Sequence, residues 1–212
     1  MSAPARAVVS DFGGVLTNPL IEAFAAYQEH SGVRFEDLGR AMQAATEARG
    51  GEHPLFLLEK GLISEDEFLH RLEEQLPEGT RLEGFRDAYF DALHPNEELI
   101  GFLRELRERG LRMAMLTNNV REWEPHWRSK LPDIDEIFEL VVDSAFVGMR
   151  KPEPGIYELT LERLGGGLAA EDCVFLDDLE VNVEAARELG MRAVHYRSNA
   201  QAIPAIEDAL RA

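Results

Sequence analysis

The sequence DFGGVLT, at residues 11–17, is one of the most informative segments of the chain. It closes a short apolar run, residues 7–12, that predicts a β-strand, and its two glycines permit a tight turn and a close approach of the backbone to a ligand. Three later segments also place polar groups at or soon after the end of an apolar run: LTNN at 116–119, RKPEP at 150–154 and FLDD at 175–178. The carboxyl ends of strands in an open parallel sheet border the ligand crevice, so we expect the four segments to form one site.

Residues 18–94 carry helical patterns only. Their apolar residues recur at the 3.6-residue period, which predicts helices at 20–29, 35–48, 64–76 and 85–93. The third helix has a marked start, since Ser64 and Glu67 have the spacing of a capping box. We therefore predict that this block is a helical cap.

From Pro95 onward, helices and strands alternate. Asn96 is expected to cap a helix that runs through Arg109. Further strands are predicted at 111–116, 137–142, 173–176 and 192–196, and further helices at 155–164, 181–189 and 200–210. This alternation predicts an α/β fold, a Rossmann-like parallel sheet with helices on both faces. Residues 1–17 and 95–212 would form this core, and residues 18–94 the inserted helical cap subdomain.

Composition limits the classes of protein that fit. With 212 residues, of which 45% are hydrophobic, the chain can bury the core of one domain, or of one domain carrying an inserted subdomain. The 40 acidic and 22 basic residues give a net charge of -18, which repels nucleic acid backbones and anionic membrane surfaces. The first residues lack the apolar segment of a signal peptide, and no run of about 18 apolar residues occurs. We therefore expect a cytoplasmic protein with neither nucleic acid nor membrane as a partner, and the oligomeric state is open.

Three carboxylates, that of Asp11 and those of the adjacent pair Asp177 and Asp178, are candidates for the chemistry of the site. Asp11 is suited to act as a nucleophile, since attack by a carboxylate splits a difficult displacement into two easier steps. It could equally bond backbone N–H groups of the turn. Asp177 and Asp178 could simply cap the following helix. Two adjacent carboxylates are costly at a sheet edge unless a cation such as Mg²⁺ lies between them, so the pair indicates a magnesium site.

Two further segments offer groups that suit a phosphate. Thr117, Asn118 and Asn119 supply a hydroxyl, two amides and backbone N–H groups, although the same residues form ordinary Asx turns. Lys151 could neutralise a phosphoryl group and the Asp11 carboxylate, or could be a solvated loop lysine. Each signal is weak alone. The four segments in this order, each after a strand, together indicate one phosphate site.

These segments carry a family resemblance. The chain resembles the haloacid dehalogenase superfamily over essentially its whole length, and residues 148–157 and 174–178 look most like the N-terminal phosphatase domain of soluble epoxide hydrolases. The helical block after the first motif is similar to that family's cap. The resemblance implies a phosphatase that acts on a small phosphorylated metabolite through an aspartyl-phosphate intermediate, with Mg²⁺ as cofactor.

The resemblance also implies site residues. It gives catalytic roles to Asp11, as the nucleophile, and to Lys151 and Thr117. The residues that it places at the phosphate of the substrate are Thr117, Asn118, Lys151 and, from the glycine turn, Gly14. Those that it places at Mg²⁺ are Asp11, Gly13 through its backbone carbonyl, Asp178 and, behind them, Asp177.

One position departs from the family pattern. Phosphatases of this superfamily usually carry a second Asp two residues after the nucleophile, where it protonates the leaving group and then activates water, but here the residue is Gly13. Such acid–base groups contribute about 10² to 10⁴ in rate. We therefore expect modest or narrow activity, best on acyl, anomeric sugar or aryl phosphates, whose leaving groups need little protonation. His126, close to Thr117 in the sequence, is one candidate for a substitute donor.

Two alternatives to a phosphatase remain open. A dehalogenase-like hydrolase would tolerate Gly13, since halide leaves without a proton, but the pair of Asp177 and Asp178 favours a metal and a dianionic phosphate. A regulatory protein that binds a phosphate ligand could keep the site with little turnover. Phosphate release that depends on both Mg²⁺ and Asp11 would distinguish the enzyme from the binding protein.

Overall fold

A five-stranded parallel sheet forms the centre of the molecule. The computed structural model describes residues 3–211, with the exception of the His30 side chain. Met1, Ser2 and Ala212, which fall inside the predicted core, lie outside the described residues. The strands are β1 Ala7–Ser10, β2 Arg112–Thr117, β3 Leu140–Asp143, β4 Cys173–Asp177 and β5 Arg192–His195. Their order in the sheet is β3-β2-β1-β4-β5, and every neighbouring pair is parallel.

Strand β1 lies in the middle of the sheet. It is fully buried, as is usual for a parallel strand covered on both faces. Its last residue, Ser10, pairs with Met115 of β2 and with Leu176 of β4, so the three strands end at nearly the same level. The residues immediately after them therefore share one edge of the sheet.

Among the described residues, five helices lie between β1 and residue 95. They are α1 Leu20–Ser31, α2 Phe35–Ala48, α3 Pro54–Glu59, α4 Glu65–Glu73 and α5 Phe85–Asp91. Four of them match predicted helices, and Ser64 caps α4 as expected, because its Oγ accepts from the Glu67 N–H at 3.2 Å. Helix α3 was not predicted. Pro54 stands in its first turn, where the missing N–H costs nothing.

The helical segment leaves and rejoins the sheet at neighbouring points. Thr17 and Pro95 form an isolated antiparallel bridge, and the Asn96 N–H donates to Leu16 O at 2.9 Å. One apolar cluster runs from the sheet into the helices of this segment. The division of the chain into a core and a cap at these points stays a prediction.

The remaining helices cover the two faces of the sheet. They are α6 Glu97–Glu108, α7 Glu124–Lys130, α8 Ile134–Ile137, α9 Ser144–Val147, α10 Pro154–Leu164, α11 Glu180–Glu188 and α12 Asn199–Arg211. Leu103 of α6 and Ile206 of α12 pack in the apolar cluster on one face, and Ile156 of α10 and Ala186 of α11 pack in the cluster on the other. The predicted α/β architecture is confirmed. Within the described part of the chain, no helix is both long and apolar enough to span a bilayer.

The third strand differs from its prediction. Residues 134–137 form α8, and β3 begins only at Leu140. Ile134 and Ile137 are three residues apart and both buried, while Asp135 and Glu136 between them are exposed. This spacing is that of one helical turn, so the expectation of a strand that starts at Ile137 is wrong.

Candidate active site

Asp11, Thr117 and Asp177 lie at the carboxyl edge of the sheet. Asp11 follows β1 directly, and Thr117 and Asp177 are the last residues of the strands on either side. The Asp11 N–H donates to Leu176 O at 2.8 Å, which holds the chain against β4 where it begins to turn. Because parallel strands end on one edge, the sheet brings these polar groups together.

Lys151 forms the charged centre of the site. Its Nζ lies 2.7 Å from Asp11 Oδ1 and 2.6 Å from Asp177 Oδ2, and only 1% of its side chain is exposed. Burial opposes the ammonium charge, but the two carboxylates outweigh it and raise the pKa of Lys151. The side chain is therefore a buried, charged group and not a solvated loop lysine.

Asp177 is surrounded by hydrogen-bond donors. Its Oδ1 accepts from the Leu179 N–H at 2.8 Å and from Asn182 Nδ2 at 3.0 Å. Its Oδ2 accepts from Lys151 Nζ and, at 3.1 Å, from Asn182 Nδ2. These bonds occupy both oxygens, so Asp177 orients Lys151 from behind the carboxylates that line the pocket.

Asp178 lies against the glycine turn that follows β1. A Cβ at position 14 would come within 2.4 Å of Asp178 Oδ2, and Gly14 has a φ of +75°, so a larger residue here would be strained. The Gly14 N–H donates to Thr17 Oγ1 at 3.1 Å. The substrate contact predicted for Gly14 stays a prediction, while its lack of a side chain explains how Asp178 fits beside this turn.

The three carboxylates form a cluster that suits a divalent cation. Oxygens of Asp11, Asp177 and Asp178 all lie within 4.8 Å of one another. Burial, aided by the charges of Asp177 and Asp178, outweighs Lys151 and raises the pKa of Asp11 to about 7. Burial and the charge of Asp177 likewise raise the pKa of Asp178 to about 6. Three carboxylates around one ammonium leave excess negative charge, and hard oxygen donors at this spacing fit Mg²⁺.

Two of the residues predicted to hold phosphate, Thr117 and Asn118, differ in their surroundings. Thr117 lines the pocket, and its hydroxyl has no hydrogen-bond partner among the described residues. The Asn118 side chain is bonded to the Lys151 backbone, since its Nδ2 donates to Lys151 O at 3.0 Å and its Oδ1 accepts from Lys151 N at 2.8 Å. Asn118 thus holds the loop that carries Lys151, and the phosphate contact predicted for Asn118 stays a prediction.

An apolar side chain closes the position of the missing acid. A Cβ at Gly13 would lie 3.2 Å from both methyl groups of Leu20, the first residue of α1. His126 packs on Phe90, with ring centroids 5.3 Å apart, and is not among the described residues that line the pocket. Neither position 13 nor His126 therefore presents a proton donor to the site.

Apolar side chains form most of the pocket wall. The cavity has a volume of about 300 Å³, and its sheet side presents Asp11, Lys151 and Asp178. The apolar residues that the segment between β1 and α6 contributes are Phe12, Leu20, Phe24, Leu38, Met42, Leu55, Leu58, Phe68, Leu69, Leu72, Leu82, Phe85 and Phe90. The pocket therefore combines a charged end with hydrocarbon walls.

Two charge networks beside the pocket were not predicted. Arg150 Nε donates to Glu59 Oε2 at 2.6 Å, which links α3 to the loop that carries Lys151. Glu65, at the start of α4, accepts from Trp123 Nε1 at 2.8 Å and from Arg86 Nη1 at 2.9 Å. The place of Arg150 within the RKPEP segment was a signal for the first network. The second network joins residues that are far apart in the chain, so no local pattern in the sequence indicates it.

Comparisons with known proteins place this geometry in a family. A family model of haloacid dehalogenase-like hydrolases matches residues 5–190. Sesquiterpene phosphatase astK of Aspergillus oryzae is 29% identical over 201 residues, which cover 90% of this chain and 89% of that protein. Bifunctional epoxide hydrolase 2 of Rattus norvegicus is 26% identical over 95% of this chain, which spans 38% of that longer protein.

A solved structure supports the fold. A HAD family enzyme from Bacteroides thetaiotaomicron, in complex with magnesium and inorganic phosphate, has a TM-score of 0.67 and 22% identity, covering 92% of this chain and 96% of its own. The family model covers most of the sequence, and the expected resemblance to epoxide hydrolases is confirmed. The chain belongs to the haloacid dehalogenase-like hydrolase family.

Proposed function

We propose that this hydrolase is a Mg²⁺-dependent phosphatase that cleaves a phosphate monoester through an aspartyl-phosphate on Asp11. One observation carries the proposal: Lys151 Nζ lies 2.7 Å from Asp11, and Asp178 belongs to the same carboxylate cluster. A nucleophile, a cation for phosphate and a metal-type carboxylate thus line one pocket. A phosphatase among the relatives, and a neighbour of the same fold that holds magnesium and inorganic phosphate, support it.

The residues on the sheet side have separate tasks in this reaction. Asp11 attacks phosphorus in line with the leaving oxygen, and water then attacks the aspartyl-phosphate and releases inorganic phosphate. Lys151 stays charged and binds the phosphoryl oxygens together with the Thr117 hydroxyl and the Asn118 backbone N–H. Because these groups are buried and already in place, little reorganisation is needed as charge develops.

The proposed ligands of Mg²⁺ are the carboxylates of Asp11 and Asp178 and the backbone carbonyl of Gly13. When bound, the ion supplies positive charge at the phosphoryl oxygens. Asp177 acts through its bonds to Lys151 and Asn182, which keep the ammonium beside Asp11. This division explains why one carboxylate of the adjacent pair lines the pocket while the other is fully buried behind it.

The substrate is proposed to be a phosphate ester of an apolar alcohol. Aliphatic and aromatic side chains line the pocket away from its charged end, so a hydrocarbon group is removed from water there. Glu65 is a polar exception, and Arg86 compensates its charge. The name of the Aspergillus oryzae relative, a sesquiterpene phosphatase, agrees with such a substrate. This class is narrower than the small phosphorylated metabolite expected from the sequence.

One observation favours the dehalogenase hypothesis as a second candidate. Leu20, and not an acid, occupies the space beside Gly13, and a halide leaving group would tolerate this. The carboxylate cluster counts against it, because excess negative charge at the site repels a carboxylate substrate unless a cation is bound. A phosphatase accounts for both the carboxylate cluster and the position of Leu20 beside Gly13, provided that a residue other than residue 13 protonates the leaving oxygen.

Phosphate release tests the proposal directly. Decyl phosphate, glycerol phosphate and p-nitrophenyl phosphate would be compared with and without Mg²⁺, for the wild type and for Asp11→Asn. We expect release that requires Mg²⁺, favours decyl over glycerol phosphate, and falls at least about 10³-fold in Asp11→Asn. The matched control is Asp208→Asn, a change of an exposed carboxylate on α12, and it should leave turnover unchanged.

Two results would contradict the proposal. Equal turnover by Asp11→Asn and wild type would remove the nucleophile. Halide release from a 2-chloroalkanoic acid without Mg²⁺, combined with no phosphate release from any ester, would support the dehalogenase hypothesis instead.

A further inference from the structure

Cleavage of an alkyl phosphate leaves an oxygen that must take up a proton, and position 13 cannot supply it. Gly13 has no side chain, and the Leu20 methyl groups fill the adjacent space. A proton donor for an alkyl leaving group must therefore come from another element that borders the pocket.

Most proton-bearing groups in the pocket are already engaged. The side chains that donate to carboxylates are Lys151, Arg150 and Trp123. Glu59 and Glu65 are the acceptors in such bonds, and the asparagine amides are too weakly acidic to act as donors of a proton. Asp11 is the proposed nucleophile and Asp178 a proposed metal ligand, so two hydroxyls remain, those of Thr117 and Tyr89. Neither has a hydrogen-bond partner within the described chain.

These two residues border the pocket on opposite sides. Thr117 ends β2 next to Asp11, where the phosphoryl group is proposed to bind. Tyr89 belongs to α5, on the side whose apolar residues would hold the alcohol part of the substrate. In-line attack places the leaving oxygen opposite the attacking oxygen of Asp11, so it faces the helices and not the sheet edge. Tyr89 is the hydroxyl on that side.

The Tyr89 ring is held firmly by aromatic neighbours. Its centroid lies 4.9 Å from that of Trp123, 5.2 Å from that of Phe90 and 5.9 Å from that of Phe24, and the residue is 7% exposed. Burial, and then the charges of Asp11 and Asp178, raise the pKa of Tyr89. The hydroxyl thus keeps its proton, yet a phenol is still more acidic than the aliphatic alcohol that forms.

We propose that Tyr89 is a catalytic residue that protonates the leaving oxygen, an inference that rests on the proposed phosphatase function. As an Asp11 oxygen bonds to phosphorus, the bond from phosphorus to the ester oxygen breaks, and that oxygen takes the Tyr89 proton and leaves as the alcohol. The tyrosinate then accepts a proton from the attacking water. The water oxygen bonds to phosphorus, the bond to Asp11 breaks, and both side chains return to their starting states.

The variant Tyr89→Phe tests this role, with Tyr27→Phe as its matched control. Tyr27 packs on Phe85 in the same apolar cluster, with ring centroids 4.8 Å apart, but does not line the pocket. Decyl phosphate needs a protonated leaving group, and p-nitrophenyl phosphate does not. We expect Tyr89→Phe to lower kcat on decyl phosphate by about 10²-fold or more and on p-nitrophenyl phosphate by less than about threefold. Tyr27→Phe should change neither rate.

Comparison of the rates on the two esters distinguishes a proton donor from a residue that only packs or binds. An equal loss on both would overturn the inference, because a packing or binding role does not depend on the leaving group. No loss on either would overturn it too. Turnover of p-nitrophenyl phosphate that is lost in Asp11→Asn establishes the proposed function separately, whereas a wild type that hydrolyses neither ester removes both proposals. Because phenylalanine keeps the ring, the thermal unfolding midpoints of both variants should match that of the wild type.

Discussion

Replacing Asp143 by asparagine should stabilise the protein more at pH 8 than at pH 5. Asp143 ends β3, and its Oδ1 accepts from the Ala145 N–H at 2.9 Å, which starts α9. Its Oδ2 is buried without a partner among the described residues, and only 6% of the residue is exposed. Burial, aided by Glu124 and opposed by the bond from the Ala145 N–H and by Arg121 and Arg128, raises the pKa of Asp143 from 3.8 to about 6.

The sign of the effect follows from which state holds the proton. Between the two pKa values the carboxyl group of Asp143 is neutral in the folded chain and ionised in the unfolded chain, so stability falls as the pH rises through this window. At about 1.4 kcal/mol per pKa unit, the full cost above pH 6 is about 3 kcal/mol, of which about half applies at pH 5. Asparagine keeps the cap to the Ala145 N–H and does not titrate.

Urea unfolding at the two pH values measures this difference. We expect the variant to gain roughly 1.5 kcal/mol in unfolding free energy relative to the wild type on going from pH 5 to pH 8. Other titrating groups are common to both proteins and cancel in the comparison. Asp208→Asn, at an exposed position, should show no such gain. The same stability difference at both pH values would refute the assignment of a buried, largely uncompensated carboxylate to Asp143.

Three further predictions concern the site. Lys151→Met removes the charge that two buried carboxylates share, and should lower kcat for phosphate release by about 10³-fold and the unfolding free energy by about 3 kcal/mol or more, as measured by steady-state kinetics and urea unfolding. Gly14→Ala places a Cβ 2.4 Å from Asp178 Oδ2 at a φ of +75°, and should raise the Mg²⁺ concentration for half-maximal activity by about tenfold or more. Gly13→Asp should raise kcat on decyl phosphate by about tenfold or more when combined with Leu20→Ala, and much less alone, since the Leu20 methyl groups lie 3.2 Å from the new Cβ.

Each of these predictions has its own contrary result. Full turnover by Lys151→Met would show that phosphate binding does not use this ammonium. Gly39→Ala, whose Cβ meets no atom within 4 Å, should leave the Mg²⁺ requirement unchanged, so an equal shift there would deny a special role to Gly14. No gain in the double variant of Gly13 and Leu20 would mean that the absence of an acid at position 13 does not limit the rate.

The sequence predicts which edge of the sheet holds the site, because the direction of the parallel strands alone determines that edge. A buried parallel strand appears in the sequence as a continuous apolar run. Asp11 and Asp177 stand at the ends of two such runs, so they lie at the same edge of the sheet when the two strands are neighbours. The sequence indicates a role for Lys151 only through its place in the RKPEP segment. Its burial against both carboxylates needs the loop that Asn118 holds, and this contact between distant residues has no local signal.

The parts that were missed depend on packing between elements. Helix α3 is a single short helix after two glycines, too short to show a period. The pattern at Ile137 fits either the start of a strand or the end of a helical turn, and contact with the core decides between them. The position of Tyr89 at the pocket is set by how α5 packs on Trp123 and Phe24, which pattern reasoning along α5 does not reveal.

The bridge between Thr17 and Pro95 bears on how such enzymes diversify. A chain that departs and returns at one spot can lengthen, shorten or exchange what lies between without shifting the strands, because closure entropy rises only slowly with loop length. Under the predicted division into core and cap, residues 18–94 can therefore change in length and sequence while Asp11 and Asp177 keep their positions at the edge of the sheet.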